Sequence, residues 1–277
     1  MYFRNLYIAT IIIGLISSFL FAVEVQTEGL RIYKTKNYSL AFTLFQSECQ
    51  NGTMQSCAYL GEMYHRGQGI TQDDTKAFEL YEMACTQDNG IGCFFLGVTY
   101  YNGKMKTKDY TKASELFEKG CNLEAMPSCY ALAEMYRAGN LGDRSFPKAM
   151  PFYKKACEGG HARSCYIIGK EYASIDIPSN EHIEHAIYYL TKACDQNSAE
   201  GCYILGSIYT YLKDKTKGLE LHMISCEKGY AEACASLGAL YFNGRELPKD
   251  DSQALFFYEK GCALKNQQSC AMYQKLK

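Results

Sequence analysis

The sequence has no tryptophan, only 5 prolines and no excess of either charge. Its 29 basic and 30 acidic residues give a formal net charge of -1. A nucleic-acid-binding protein usually carries a basic surface, and attraction to an anionic membrane needs a cluster of lysine and arginine. We therefore expect no nucleic-acid partner and no polybasic contact with a membrane, so partners must be recognised by shape and local chemistry.

The motif C-x-x-C is also missing, although the chain holds 14 cysteines. Zinc-binding cysteines usually stand about two to four residues apart, and a thioredoxin-like redox site needs C-x-x-C itself. We therefore predict no metal site and no cofactor, and we interpret the even number of cysteines as a set of disulfides.

The N-terminal segment has the features of a secretory signal peptide. Arg4 precedes the mainly apolar run Leu6–Phe21, and Leu20–Ala22 resembles a cleavage signal. An uncleaved anchor is the alternative, but the run is shorter than the roughly 20 residues of a spanning helix. No cysteine precedes Cys49, which argues against a lipoprotein. We predict a signal peptide at 1–22.

The mature chain is therefore expected to start near Val23 and to keep no stable membrane anchor. We predict a secreted or periplasmic protein. Thiols are oxidised to disulfides in such compartments, which agrees with the cysteine content.

The cysteines reveal a repeat. Successive pairs are offset by 36, 36, 36, 37, 32 and 36 residues. The members of each pair are eight residues apart, and the seven pairs are Cys49 and Cys57, Cys85 and Cys93, Cys121 and Cys129, Cys157 and Cys165, Cys194 and Cys202, Cys226 and Cys234, and Cys262 and Cys270. We predict one domain over 23–277 built from seven repeats, at about 27–70, 71–106, 107–142, 143–179, 180–212, 213–247 and 248–277.

Residues on both sides of each pair have helical spacing. Before the first cysteine, small and apolar residues at offsets of eight, five and four predict helix A. The position four residues before it, which we call the ring position, holds Phe45, Tyr81, Phe117, Tyr153, Leu190, His222 and Tyr258. After the second cysteine, residues at offsets of three, four and seven predict helix B.

The position four residues after the second cysteine, which we call the glycine position, holds Gly61, Gly97, Ala133, Gly169, Gly206 and Gly238. Glycine inside a helix costs about 1 kcal/mol relative to alanine, so its recurrence indicates a close approach between a helix B and a helix A. Further glycines predict the turns after the helices. An antiparallel hairpin would bring each pair of cysteines within disulfide distance, so each cysteine should pair with the one eight residues away.

This pattern resembles the Sel1-like repeat, a relative of the tetratricopeptide repeat, through Lys76-Ala77, Leu80-Tyr81, Ala84-Cys85, Cys93, Leu96-Gly97, Tyr100 and Gly103. With a cysteine pair in each repeat, the chain is similar to the Helicobacter cysteine-rich protein family. The resemblance implies an all-α, right-handed α/α superhelix (solenoid) with a concave groove. It also implies binding of a protein or peptidoglycan-like ligand outside the cytoplasm, or slow, penicillin-binding β-lactamase activity.

Several departures from the repeat are local. The join between repeats four and five is one residue longer and contains Pro178, and the join between repeats five and six is four residues shorter. We expect both to disturb the solenoid. Pro151, inside a helix A, should kink that helix. In repeat six, Gly218 replaces alanine and His222 takes the ring position.

Nothing in the sequence matches a known catalytic set. Two S-x-x-K strings occur, Ser145 to Lys148 and Ser225 to Lys228, but no S-D-N or K-T-G accompanies them. Ser145 precedes a helix A, where a capping serine is ordinary. The catalytic residues of any β-lactamase activity are therefore unknown.

The histidines offer one candidate cluster. His182 and His185 stand three residues apart and are interleaved with Glu181 and Glu184, a spacing that could hold a metal but is more typical of a solvated helix face. For His222 we expect a buried imidazole whose hydrogen bonds are satisfied. Our main hypothesis is a monomeric, non-catalytic binding scaffold, and the alternative is a slow β-lactamase.

Overall fold

The computed structural model describes residues 27–175, 178–244 and 247–277. The predicted signal peptide and the start of the mature chain lie outside these ranges. Within them the chain forms fifteen helices and no strand: α1 (Glu28–Lys34), α2 (Tyr38–Gln50), α3 (Met54–Arg66), α4 (Asp74–Thr86), α5 (Gly90–Asn102), α6 (Tyr110–Asn122), α7 (Met126–Ala138), α8 (Phe146–Glu158), α9 (Ala162–Ala173), α10 (Asn180–Asp195), α11 (Ala199–Tyr211), α12 (Lys215–Glu227), α13 (Ala231–Asn243), α14 (Asp251–Ala263) and α15 (Gln267–Leu276).

The described residues divide into two compact units, with the boundary between Phe95 and Leu96, inside α5. Helices α2, α4, α6, α8, α10, α12 and α14 are the predicted helices A, and the odd-numbered helices from α3 to α15 are the helices B. In the first unit α1 to α4 pack in chain order, and in the second α6 to α15 do the same. The predicted all-α class of stacked helix hairpins is therefore confirmed.

Side-chain caps set where the helices A begin. Asp73, Asp109, Ser145 and Asp250 each accept a hydrogen bond from a backbone N–H in the first turn of the helix that follows. Helices α3, α7 and α13 end at glycines in the left-handed conformation, as at Gly67 with φ of 62°. These residues include the turn glycines predicted from the sequence.

The glycine position packs against the ring position of the next repeat. A Cβ atom on Gly61 would lie 2.7 Å from Cε1 of Tyr81 and 3.1 Å from the carbonyl oxygen of Ala77. A Cβ on Gly206 would lie 2.9 Å from the carbonyl oxygen of Gly218. The predicted close approach of helix B to a small residue of helix A is therefore present, and it joins neighbouring repeats.

Seven disulfides close the hairpins, and each lies within one repeat. They join Cys49 to Cys57, Cys85 to Cys93, Cys121 to Cys129, Cys157 to Cys165, Cys194 to Cys202, Cys226 to Cys234, and Cys262 to Cys270. The Cα atoms of each pair are 4.4 to 4.8 Å apart. Helix A and helix B therefore meet closely at their shared end, and small buried residues such as Ala84 and Gly92 pack beside the bridge.

The irregular joins change the loops and leave the helices intact. Helix α8 runs unbroken across Pro151, so a kink there stays a prediction. The short join between repeats five and six consists of three residues between α11 and α12, and Lys213 takes a φ of 67°. At Gly206 and Gly218, α11 and α12 lie so close that backbone faces backbone.

Candidate functional site

Ser145 caps a helix in the structure. Its Oγ accepts a hydrogen bond of 3.3 Å from the backbone N–H of Lys148, at the start of α8. Ser145 contacts the backbone of Lys148 as an N-cap residue does, so the first S-x-x-K string marks the start of α8.

Ser225 and Lys228 bind different partners. Ser225 is fully buried, and its Oγ donates a 2.7 Å hydrogen bond to the carbonyl oxygen of Ala199. Lys228 Nζ donates to the carbonyl oxygen of Cys194 and to Oδ1 of Asn197. The second string therefore fastens repeat six to repeat five, with its serine and lysine in separate contacts.

The histidine pair on α10 also has local partners. His182 completes a capping box with Ser179, in which its Nδ1 accepts the backbone N–H of Ser179. His185 Nε2 lies 3.6 Å from Glu181 Oε1, and its ring packs 4.9 Å from that of Tyr172. Across the described residues, no group of three or more His, Cys, Asp or Glu is placed to hold a metal.

His222 is buried as predicted, with 8% of its surface exposed, but it is not satisfied. Its Nδ1 is fully buried and has no hydrogen-bond partner. Burial lowers the pKa of the imidazole, so the ring is neutral at pH 7. The expectation of a satisfied core histidine was therefore wrong on this point.

A cavity of about 430 Å³ opens beside His222. Helices α11, α12 and α13 form its walls. Its apolar lining comes from Leu219, Ala239, Leu240 and Leu247, and its polar lining, besides His222, from Tyr203, Ser207, Thr210, Lys215, Ser236 and Asn243. Its volume lies within the roughly 300–1,000 Å³ that is usual for small-molecule pockets, and its lining is mixed, as in such pockets.

Small residues at one repeat position help to explain the cavity. Five residues after the second cysteine stand Glu62 and Glu134, and their carboxylates accept the hydroxyl of the tyrosine at the next ring position, Tyr81 or Tyr153. In repeats five and six the same position holds Ser207 and Ala239, which line the cavity. The imidazole of His222 is also smaller than a phenol ring, so this part of the stack is left unfilled.

A second cavity of about 340 Å³ also has Ser207 in its lining. Its lining is mostly apolar and comes from α9, α10, α11 and the join before α10, including Tyr172, Ile204 and Ile208. Tyr211 stands at its edge with 73% of its surface exposed. The two cavities share Ser207, so they form adjoining pockets within the second unit.

His222 stands out in the sequence as the histidine at a ring position, but spacing along the chain predicts neither cavity. Three features of repeat six together could have indicated the first cavity. They are the short join before it, the histidine at its ring position, and a small residue at the position that Glu62 and Glu134 occupy in other repeats.

In the part of the chain that the structure describes, no helix has both the length and the apolar character needed to cross a membrane.

Comparison with known proteins identifies the repeat. No curated protein matches the chain. A protective antigen of uropathogenic Escherichia coli strains, described as displaying an SLR fold, is 26% identical, with a TM-score of 0.68 over 86% of this chain and 52% of that one. The chain thus spans about half the length of that antigen.

Two other solved structures are similar. A Sel1 repeat protein from Oxalobacter formigenes is 22% identical, with a TM-score of 0.70 over 85% of this chain and 98% of that one, and it supports the fold. The Helicobacter pylori cysteine-rich protein B is 28% identical over 44% of this chain and 93% of that one, with a TM-score of 0.37.

The sequence itself matches the Sel1 repeat over residues 55–89, 90–124, 127–161, 162–198 and 231–266. These segments make up more than half of the chain. The resemblance to Sel1 repeats with a cysteine pair in each is confirmed by this match and by the seven disulfides. The chain belongs to the Sel1 repeat family.

Proposed function

We propose that this protein is a non-catalytic scaffold that acts outside the cytoplasm as a monomer and binds an extended peptide segment. The observation that carries the proposal is the pair of adjoining cavities that share Ser207. Two separate pockets, each large enough to hold a side chain, suit a chain that inserts two side chains better than they suit one compact molecule. The segment can belong to a protein or to a peptidoglycan-like polymer.

The exposed aromatic ring at the edge supports this proposal. Tyrosine is enriched at binding hot spots because its ring offers a large contact area at a low entropy cost. Tyr211 leaves most of its ring in solvent while it lines the second cavity. A bound peptide would cover this ring.

Extracytoplasmic location is part of the proposal. Disulfides persist in oxidising compartments and are rare in the cytosol. All fourteen cysteines are paired, and no cysteine remains free. An exported protein with a signal peptide at 1–22 fits this chemistry.

In the described part of the chain, neither serine of the S-x-x-K strings makes a contact that favours the β-lactamase alternative. A serine nucleophile needs a base within hydrogen-bond reach, but Ser145 binds a backbone N–H and Ser225 donates to a backbone carbonyl. We expect the oxidised protein to keep its mass after incubation with a labelled penicillin. A stoichiometric covalent adduct would support the alternative.

Peptide selection tests the scaffold proposal. A phage-displayed library of random peptides is selected on the immobilised, oxidised protein, and each enriched peptide is synthesised and titrated by isothermal calorimetry. Ser207→Phe places a ring between the two cavities and should abolish the binding of these peptides. Tyr211→Ala should weaken it by about thirtyfold, which corresponds to the roughly 2 kcal/mol lost at an aromatic hot spot.

Tyr188→Ala is the matched control, because Tyr188 is 51% exposed on α10 and lines neither cavity. It should leave binding unchanged. Circular dichroism checks that each variant folds. A selection without binders, or binders that tolerate Ser207→Phe, would contradict the proposal.

A further inference from the structure

We infer that the His222 cavity recognises a carboxylate group carried on an apolar body. This inference rests on the proposed function, because such a carboxylate would come from the bound segment, as its C-terminal residue or as an acidic side chain. It goes further in naming which chemical group the cavity selects.

The state of the His222 ring gives the first reason. A neutral imidazole has one N–H donor and one acceptor nitrogen. Nδ1 is the nitrogen that is buried without a partner, and a buried N–H without a partner is rarer and costlier than an unused lone pair. We therefore assign the proton to Nε2, which leaves a donor for a ligand oxygen.

The hydrogen bonds of the neighbouring hydroxyls give the second reason. Ser207 Oγ donates to the carbonyl oxygen of Tyr203, and Thr210 Oγ1 donates to that of Gly206. Their protons are therefore used inside α11. The donors that remain for a ligand include His222 and the side chains of Lys215 and Asn243.

Charge gives the third reason. Lys215 is the charged residue among the described lining residues, none of which is acidic. A carboxylate only accepts hydrogen bonds and carries the charge opposite to that of Lys215. The leucines Leu219, Leu240 and Leu247 would surround the apolar body that carries it.

Small probes test the inference without the peptide. N-acetyl-leucine carries an α-carboxylate, the α-amide of N-acetyl-glutamate carries a side-chain carboxylate, and N-acetyl-leucinamide is the neutral match. Each is titrated into the millimolar range against the full oxidised protein, and the ring proton signals of its histidines are followed by NMR. The His222 signal is the one that disappears in His222→Phe, a substitution that other ring positions support, since Phe45 and Phe117 stand there.

We expect at least one of the two carboxylates to shift the His222 signal in a saturable way and the neutral amide to leave it in place. The probe that binds more tightly shows whether the cavity takes the C-terminal carboxylate or an acidic side chain of the bound segment. Lys215→Gln should weaken binding of that probe about two- to fivefold, as expected for an exposed charge. Lys217→Gln is the control on the same helix, because Lys217 Nζ binds the hydroxyl of Tyr209 and does not line the cavity.

Equal binding of the neutral amide, or identical affinities for Lys215→Gln and the wild type, would overturn the inference. If no probe shifts the His222 signal while selected peptides still require Ser207, the carboxylate assignment is wrong and the scaffold proposal stands. If carboxylates bind but no peptide does, the scaffold proposal fails and the cavity is a small-molecule site.

Discussion

The hydroxyl of Tyr81 donates a 2.9 Å hydrogen bond to Oε2 of Glu62, and so joins the second repeat to the first. Both residues are buried, and Arg66 pairs with the other carboxylate oxygen of Glu62. Burial and the neighbouring carboxylate raise the pKa of Tyr81. The phenol therefore stays protonated and remains a donor at any physiological pH.

Tyr81→Phe should destabilise the protein by about 1–3 kcal/mol, because it leaves a buried carboxylate oxygen without its donor. The shift of the chemical denaturation midpoint measures this loss. Tyr258→Phe is the matched control at another ring position, since Tyr258 is similarly buried but makes no hydrogen bond through its hydroxyl in the described structure. Equal losses in the two variants would show that the bond to Glu62 adds nothing.

The sequence predicted the repeat, its helices and the positions of its turns because these depend on spacing along the chain. It also predicted the close approach of the glycine position in helix B to a small residue of a helix A, but it did not predict that the ring position packs there as well. It did not predict the bond between Glu62 and Tyr81, although Glu134 and Tyr153 repeat it at the same phase. Comparing polar residues between repeats would have revealed that pair.

Spacing along the chain could not have predicted the cavities. The one beside His222 depends on how three helices pack around a short join, and periodicity does not report a volume left empty. Sequence spacing likewise could not show that Nδ1 of His222 lacks a partner, because that follows from the orientation of one ring.

One backbone position offers a stabilising substitution. Three residues after the first cysteine of every repeat, φ lies between 55° and 90°, at Gly52, Asp88, Glu124, Gly160, Asn197, Gly229 and Lys265. A residue with a Cβ pays roughly 1–2 kcal/mol for this conformation, and glycine does not. Glycine loses about 0.5–1 kcal/mol through chain entropy.

Glu124→Gly should therefore stabilise the protein by up to about 1 kcal/mol, read from the denaturation midpoint. Glu124 is exposed, so the substitution removes no buried contact. Glu118→Gly, on the exposed face of α6, should instead destabilise by about 1 kcal/mol because its backbone is helical. A loss of stability in Glu124→Gly would contradict the strain argument.

Two histidines make the stability sensitive to mild acid. Burial lowers the pKa of His222, and burial together with the charge of Arg163 lowers that of His161. In the unfolded chain both take up a proton near the ordinary value of 6.5, but the folded protein does so only at lower pH. The unfolded state then binds more protons, so stability should fall as the pH drops below about 6.5.

Urea denaturation at a series of pH values from about 7.5 to 5 measures the free energy of unfolding across this change. This pH range lies above the pKa values usual for carboxylates, so their titration contributes little. His222→Phe should lose less stability over that range than the wild type. His185→Gln is the control for removing a histidine from an exposed site, since the His185 side chain is 43% exposed, and its stability should still fall in acid because His222 and His161 are retained. A wild-type midpoint that stays constant down to pH 5 would refute this coupling.

The last prediction concerns the disulfides, which we expect to serve stability and not chemistry. Cys121 and Cys129 are both buried, with 1% and 0% of their surface exposed, and their bridge lies in repeat three, away from the lining of both cavities. A reactive thiol would instead be partly exposed and beside a basic group. Replacing both cysteines by alanine should lower the melting temperature, because the unfolded chain regains the freedom of an eight-residue loop, worth at most about 2.5 kcal/mol.

Below the new melting temperature the variant should bind the selected peptides with wild-type affinity, since the cavities belong to other repeats. Loss of binding in a variant that circular dichroism shows to be folded would assign this bridge to a working site, and non-reducing peptide mapping that linked Cys57 to Cys85 would disprove the pairing within repeats.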